Sequence, residues 1–181
     1  DSGAILVGTT GTLNINGGSV TAAGTDKNGM FVRGNFQMAG GSLTVTGSGK
    51  PGIENEGNFK LSDGTISTKS NSDGIGFLQR GGSATIESGE LNTDRLYITG
   101  SSPFTVASGG KVTSGSTIID SGTLTNEGEF VSNGPFEKKD GTFNNTGTIS
   151  GTGSLPDDAK QTPDTITGYT AEISADYRNN M

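Results

Sequence analysis

A ten-residue unit, GTLNINGGSV at Gly11–Val20, returns six more times along the chain, and nothing else in the sequence limits the possible folds as tightly. The copies are GNFQMAGGSL (34–43), GNFKLSDGTI (57–66), GSATIESGEL (82–91), SPFTVASGGKV (102–112), GTLTNEGEF (122–130) and GTFNNTGTI (141–149). Each holds two short apolar segments, and a third precedes it. Coil one reads Ile5/Val7, Leu13/Ile15 and Val20, and coil four reads Ile75/Phe77, Ala84/Ile86 and Leu91. The pattern thins to Ile118, Leu124 and Phe130, then to Phe136, Phe143 and Ile149.

The second segment recurs at 13, 36, 59, 84, 104, 124 and 143, in steps of 23, 23, 25, 20, 20 and 19 residues. Two-residue alternation and the abundance of Gly, Ser, Thr and Asn exclude helices. Three short strands per turn predict an all-β fold, a single-stranded parallel β-helix of about seven coils. At about 4.8 Å between paired strands, the rod is roughly 30–35 Å long. Left-handed β-helices favour strict six-residue rungs, so the drifting coil length points to the right-handed form. Two glycine columns mark corners. Gly18, Gly41, Gly64, Gly89, Gly110, Gly128 and Gly147 separate the second and third segments, where positive φ is expected. Gly11, Gly34, Gly57, Gly82, Gly122 and Gly141 precede the second, with Ser102 the one departure.

Only 28% of the 181 residues are hydrophobic, 32 are Gly, and the net charge is -7. A non-repetitive chain of this composition could hardly offset its ordering entropy. A solenoid coil needs few inward side chains, because its neighbours cover it above and below. The absence of Cys removes disulfides and thiolate chemistry, and the absence of His removes the commonest general base and zinc ligand. A pI near 4.5, with no basic run longer than Lys138–Lys139, argues against a nucleic-acid partner. No apolar run has the length of a membrane span, so no membrane insertion is expected. The chain starts at Asp1 rather than Met, which suggests a piece of a longer parent protein with neighbouring domains.

The repeats place the β-helix at residues 1–155. Residues 156–165, with two prolines and three aspartates, read as a linker. Residues 166–181 hold one amphipathic strand that folds back over the rod, caps its end, or begins a following module.

Alternation assigns the faces. The outward positions of the second strand (Asn14, Gln37, Lys60, Thr85, Thr105, Thr125, Asn144) and of the third (from Thr21 to Ser150) are nearly all polar. On the first strand the outward column reads Leu6, Phe31, Glu54, Gly76, Tyr97, Ile119 and Glu137, with Leu78 close by. An apolar stripe on a Ser/Thr-rich rod wants a cover. One candidate is the tail, through Tyr169, Ile173 or Tyr177. The other is a ligand: Phe31 and Tyr97 would stack on sugar rings, with Arg33, Arg80, Arg95 and Asp94 supplying hydrogen bonds.

Enzymatic chemistry finds less support. Glycosidases need carboxylates about 5–9 Å apart, and adjacent coils could bring Glu54 near Asp73 with Arg33 or Arg80 beside them. Yet no acidic cluster falls on one face, and the connections look too short to wall a cleft. Of the turns, only Asp63–Gly64 resembles a calcium-loading β-roll turn, and the Thr85/Thr105/Thr125 row is too interrupted for ice binding. No catalytic residue, cofactor or metal site is assigned.

The units GTLNINGGSV, GNFQMAGGSL and GNFKLSDGTI resemble the repeats of bacterial cell-surface right-handed β-helix proteins of pectin-lyase-like fold. These include autotransporter-like passengers and the carbohydrate-binding-domain β-helices of gut bacteria. The resemblance covers residues 1–155 and implies an extracellular or cell-surface protein, carrying over no functional residue. The expectation is a non-catalytic, adhesin-like module that binds a glycan or a host or cell-surface protein, or serves as a rigid presenting stalk. The alternative is a fragment of a polysaccharide lyase or glycoside-hydrolase-like enzyme.

Overall fold

The structure, a computed structural model, describes residues 3–71, 74–155 and 166–167. Coil one is built from β1 (Gly3–Val7) and β2 (Thr12–Ala23), coil two from β3 (Asn28–Val32) and β4 (Asn35–Gly47), and coil three from β5 (Ile53–Asn55) and β6 (Asn58–Ser70). Coil four has three strands, β7 (Phe77–Gln79), β8 (Ser83–Ile86) and β9 (Glu90–Thr93). Coil five follows with β10 (Leu96–Ile98), β11 (Pro103–Val106) and β12 (Lys111–Ser114), and coil six with β13 (Thr117–Ile119), β14 (Thr123–Asn126) and β15 (Glu129–Ser132). Coil seven is β16 (Phe136–Lys138), β17 (Thr142–Asn145) and β18 (Thr148–Ser150), and β19 (Ile166–Thr167) comes last.

The first strands of the seven coils stack in one parallel sheet, β1-β3-β5-β7-β10-β13-β16. Second and third strands share a 12-stranded sheet, because they are continuous in β2, β4 and β6. The chain is thus a parallel β-solenoid of about six turns. The repeat steps hold residue for residue: Leu13 pairs with Phe36, Phe36 with Phe59, Phe59 with Ala84, Ala84 with Phe104, Phe104 with Leu124 and Leu124 with Phe143.

The three-strand coil is realised only from coil four onward. In coils one to three the corner between second and third strands is a bulge that shifts the register without ending the ladder. The bulge explains why the glycine column has two physical origins. Gly18, Gly41 and Gly64 have φ of 77°, 86° and 94°, whereas Gly89, Gly110, Gly128 and Gly147 do not show positive φ. The latter four are needed for close approach, since a Cβ on Gly89 would lie 2.8 Å from the Gly64 carbonyl oxygen.

Inside, side chains stack in columns along the rod axis. Phe36, Phe59, Phe77 and Phe104 form a ladder with centroids 4.6, 5.0 and 5.6 Å apart, and Phe130, Phe136 and Phe143 continue it at 5.8 and 5.0 Å. Such contacts add about 0.5–1.5 kcal/mol per pair beyond area burial. Between the ladders, Leu124 occupies the second-strand column and Thr117 the first.

Polar side chains also enter the core where they can serve a backbone corner. Asn55, fully buried, donates from Nδ2 to Gln79 Oε1 at 2.8 Å and to the Ser83 carbonyl at 3.0 Å, and its Oδ1 accepts from Gly57 N–H at 3.2 Å. Gln79 in turn donates to the Gly81 carbonyl at 2.7 Å. In coil six Asn126 reaches Asn145 Oδ1 at 2.7 Å, but its own Oδ1 and the Thr117 hydroxyl are buried without partners. These orphans lie in the thinned C-terminal coils.

Two inward assignments from alternation are corrected. Register aligns Leu78, not Gly76, with Glu54 and Tyr97, so coil four turns Phe77 and Gln79 inward rather than Ile75 and Phe77. In coil six Tyr97 pairs with Ile118, so Thr117 and Ile119 point in and Ile118 points out. In both strands one buried member is polar, Gln79 or Thr117, and an apolar residue beside the true pair, Ile75 or Ile118, offered itself in its place.

Beyond coil seven, Phe136 N–H donates to the Ser154 carbonyl at 3.2 Å, and Leu155 joins the core cluster. Ile149 and Ser150 pair with Ile166 and Thr167 in parallel. This short strand extends the third-strand column at the C-terminal end of the rod. Residues 156–165, and Tyr169, Ile173 and Tyr177 with them, lie outside the described residues.

Candidate functional site

Extra residues in the first three coils collect at one corner, between the third strand and the next first strand. The connections are 24–27, 48–52 and 71–76, against two residues, Asp94 and Arg95, in coil four. They are not uniformly short. The first two are tied by an antiparallel bridge between Lys27 and Ser48. Residues 24–27 and 48–52, with Ile75, wall one side of the first-strand sheet and leave a groove of about 700 Å³. Glu54, Leu78 and Tyr97, consecutive in the outward column, line its floor. Lys27, Lys50 and Ile75 stand on the loop side, Arg80 and Thr99 on the other.

The floor is apolar except for one carboxylate. Leu78 is buried yet lies outside the central core cluster, as does Phe31, so both belong to a second apolar layer on the outer face. Glu54 is 7% exposed; its Oε1 accepts from Arg80 Nη1 at 2.6 Å and its Oε2 from Asn28 Nδ2 at 2.8 Å. Burying a carboxylate is costly unless it is paired and hydrogen-bonded, and here both oxygens are engaged. Asn28 is itself 4% exposed, and its Oδ1 has no donor.

The six residues expected to bind ligand separate into three groups. Tyr97 and Arg80 line the groove. Phe31 and Arg33 sit one coil beyond Glu54: the Phe31 ring is 2% exposed and carries the Arg33 guanidinium 4.6 Å from its centroid, while Arg33 Nε also bonds Glu56 at 3.4 Å. That cation–π pair covers the ring face. Asp94 and Arg95 form the coil-four corner. Asp94 accepts from Ser70 N–H at 3.1 Å and Arg95 N–H at 2.9 Å, and Arg95 Nε donates to Ser116 Oγ at 3.2 Å. Their bonds brace neighbouring coils.

Asn28, Lys27 and Lys50 escaped sequence reasoning. One signal was present: each lysine stands three residues before the first inward residue of its coil, Met30 or Ile53. Of the enzyme constellation, Glu54 meets Arg80 but Arg33 meets Glu56, and Asp73 lies outside the described residues. Elsewhere, Glu87 on the second face accepts from Lys60 Nζ at 2.8 Å and Ser62 Oγ at 2.9 Å, and these two bonds, the lysine first, lower its carboxyl pKa. The chain matches no family model, no curated protein and no solved structure.

Proposed function

We propose that this chain is a non-catalytic, adhesin-like β-solenoid module of a bacterial surface or secreted protein, binding saccharide in the groove over its first-strand sheet. One observation carries the reading: Tyr97, half-buried, forms the floor of a loop-walled groove whose rim offers charged and amide groups. An aromatic face packs against the C–H side of a sugar ring while rim groups take its hydroxyls. The repeat resemblance to bacterial surface β-helices supports the location. On a glycan array, the full chain should bind a discrete set of glycans and Tyr97→Ala should lose them. Unchanged binding by Tyr97→Ala would remove the groove from the account.

The polysaccharide-cleaving alternative is favoured by the loop wall itself. Against it, both Glu54 oxygens are occupied by Arg80 and Asn28, a poor arrangement for a group that must exchange a proton with substrate. Release of reducing or unsaturated ends from a polysaccharide bound by the chain would decide for the enzyme.

A further inference from the structure

We infer that the groove is built for an anionic saccharide, one carrying a carboxylate or sulfate ester beside free hydroxyls; the inference rests on the saccharide reading above. Three cations, Lys27, Lys50 and Arg80, line the groove of a chain whose net charge is -7, against two carboxylates, Asp26 and Glu54. Their states differ. Arg80 is held by Glu54 at 2.6 Å and lies 3.9 Å from Glu56, so its charge is largely answered within the protein. Among the described residues, Lys27 and Lys50 are exposed and have no carboxylate within ion-pairing distance. Elsewhere on the rod Lys60, Lys111 and Lys139 each pair with an acid at 2.8, 3.3 and 3.5 Å, whereas Lys69, away from the groove, is exposed like Lys27 and Lys50 with no carboxylate in ion-pairing distance among the described residues. Two lysines left unpaired at equivalent positions of consecutive coils, both on the loop wall, make a local positive site on an acidic rod.

Asn28 supplies the second half of the specification. Its Nδ2 is committed to Glu54, and its buried Oδ1 lacks a donor. A buried acceptor without a partner is rare enough to call for an explanation. A bare anion offers no donor; a saccharide hydroxyl does. Anion and hydroxyl on one ligand, with a ring face over Tyr97, describe an acidic sugar unit.

Calorimetry on the full chain with four probes tests this: a linear uronic-acid trisaccharide, its methyl ester, a sulfated neutral trisaccharide, and inorganic sulfate. The acid or the sulfated form should bind at least about tenfold more tightly than the ester, and Lys27→Gln/Lys50→Gln should erase that preference. Which of the two binds identifies the anion. Equal binding of acid and ester, unaffected by the lysine pair but lost in Tyr97→Ala, would overturn the anionic inference and leave the saccharide reading standing. No saccharide binding at all would remove both. Inorganic sulfate binding as tightly as the charged sugars would reduce the site to a plain anion contact and overturn the inference.

Discussion

At the scale of single residues, the corners carry the tightest constraints. Gly41 has φ of 86°, a conformation that costs an L-residue about 1–2 kcal/mol. An added Cβ would also press on the Gly18 carbonyl one coil below. Gly41→Ala should therefore lower stability by about 2 kcal/mol or more, read as a shift in the urea midpoint. Glu87 offers a pH test. Its pKa is lowered in the fold by Lys60 and Ser62. The stabilisation is thus present above the unfolded carboxyl value of about 4.3 and is lost as pH falls through the lower folded value. Because the pair is exposed, its effect is small and salt-sensitive. Wild type should lose slightly more stability than Glu87→Gln as pH falls from neutral through the carboxylate range, and the difference should shrink in high salt.

At the scale of elements, the amide ladder between β5 and β7 shows why the sequence pattern slipped where it did. Alternation reads apolar residues, and it followed Leu13, Phe36 and Phe59 correctly through every coil of the second strand. It could not see that Asn55 and Gln79 occupy core positions, because their burial depends on bonds to corner carbonyls that exist only once coils have stacked. With Gln79 discounted, Ile75 offered itself as the inward partner of Phe77, and Leu78 lost its place on the groove floor. Two adjacent isoleucines at Ile118–Ile119 left the same ambiguity one coil pair later. The ladder is also testable. Asn55→Leu leaves Gln79 Oε1 without its donor, while the Gly57 N–H keeps its bond to the Val32 carbonyl, and should cost about 1–3 kcal/mol. Adding Gln79→Leu should recover part of that loss, measured by the same unfolding midpoints.

At the scale of the whole molecule, the rod is uniform on two faces and specialised on one. The second and third faces present Thr, Ser, Asn and scattered charge in register, and their chemistry was legible from alternation alone. The apolar stripe on the first face was legible too, together with Tyr97 and Arg80. The groove was not. It arises because coils one to three spend their extra residues at one corner, a placement that repeat spacing measures only in total. If recognition belongs to that groove, a bulky residue on each face in turn should separate the three surfaces. The decisive measurement is saccharide capture by the full chain with Thr99→Trp in the groove wall, Thr85→Arg on the second face and Thr113→Arg on the third. Capture lost only with Thr99→Trp is the expected result. Capture that survives Thr99→Trp and fails with Thr85→Arg or Thr113→Arg would place recognition on a polar ladder face and contradict the account.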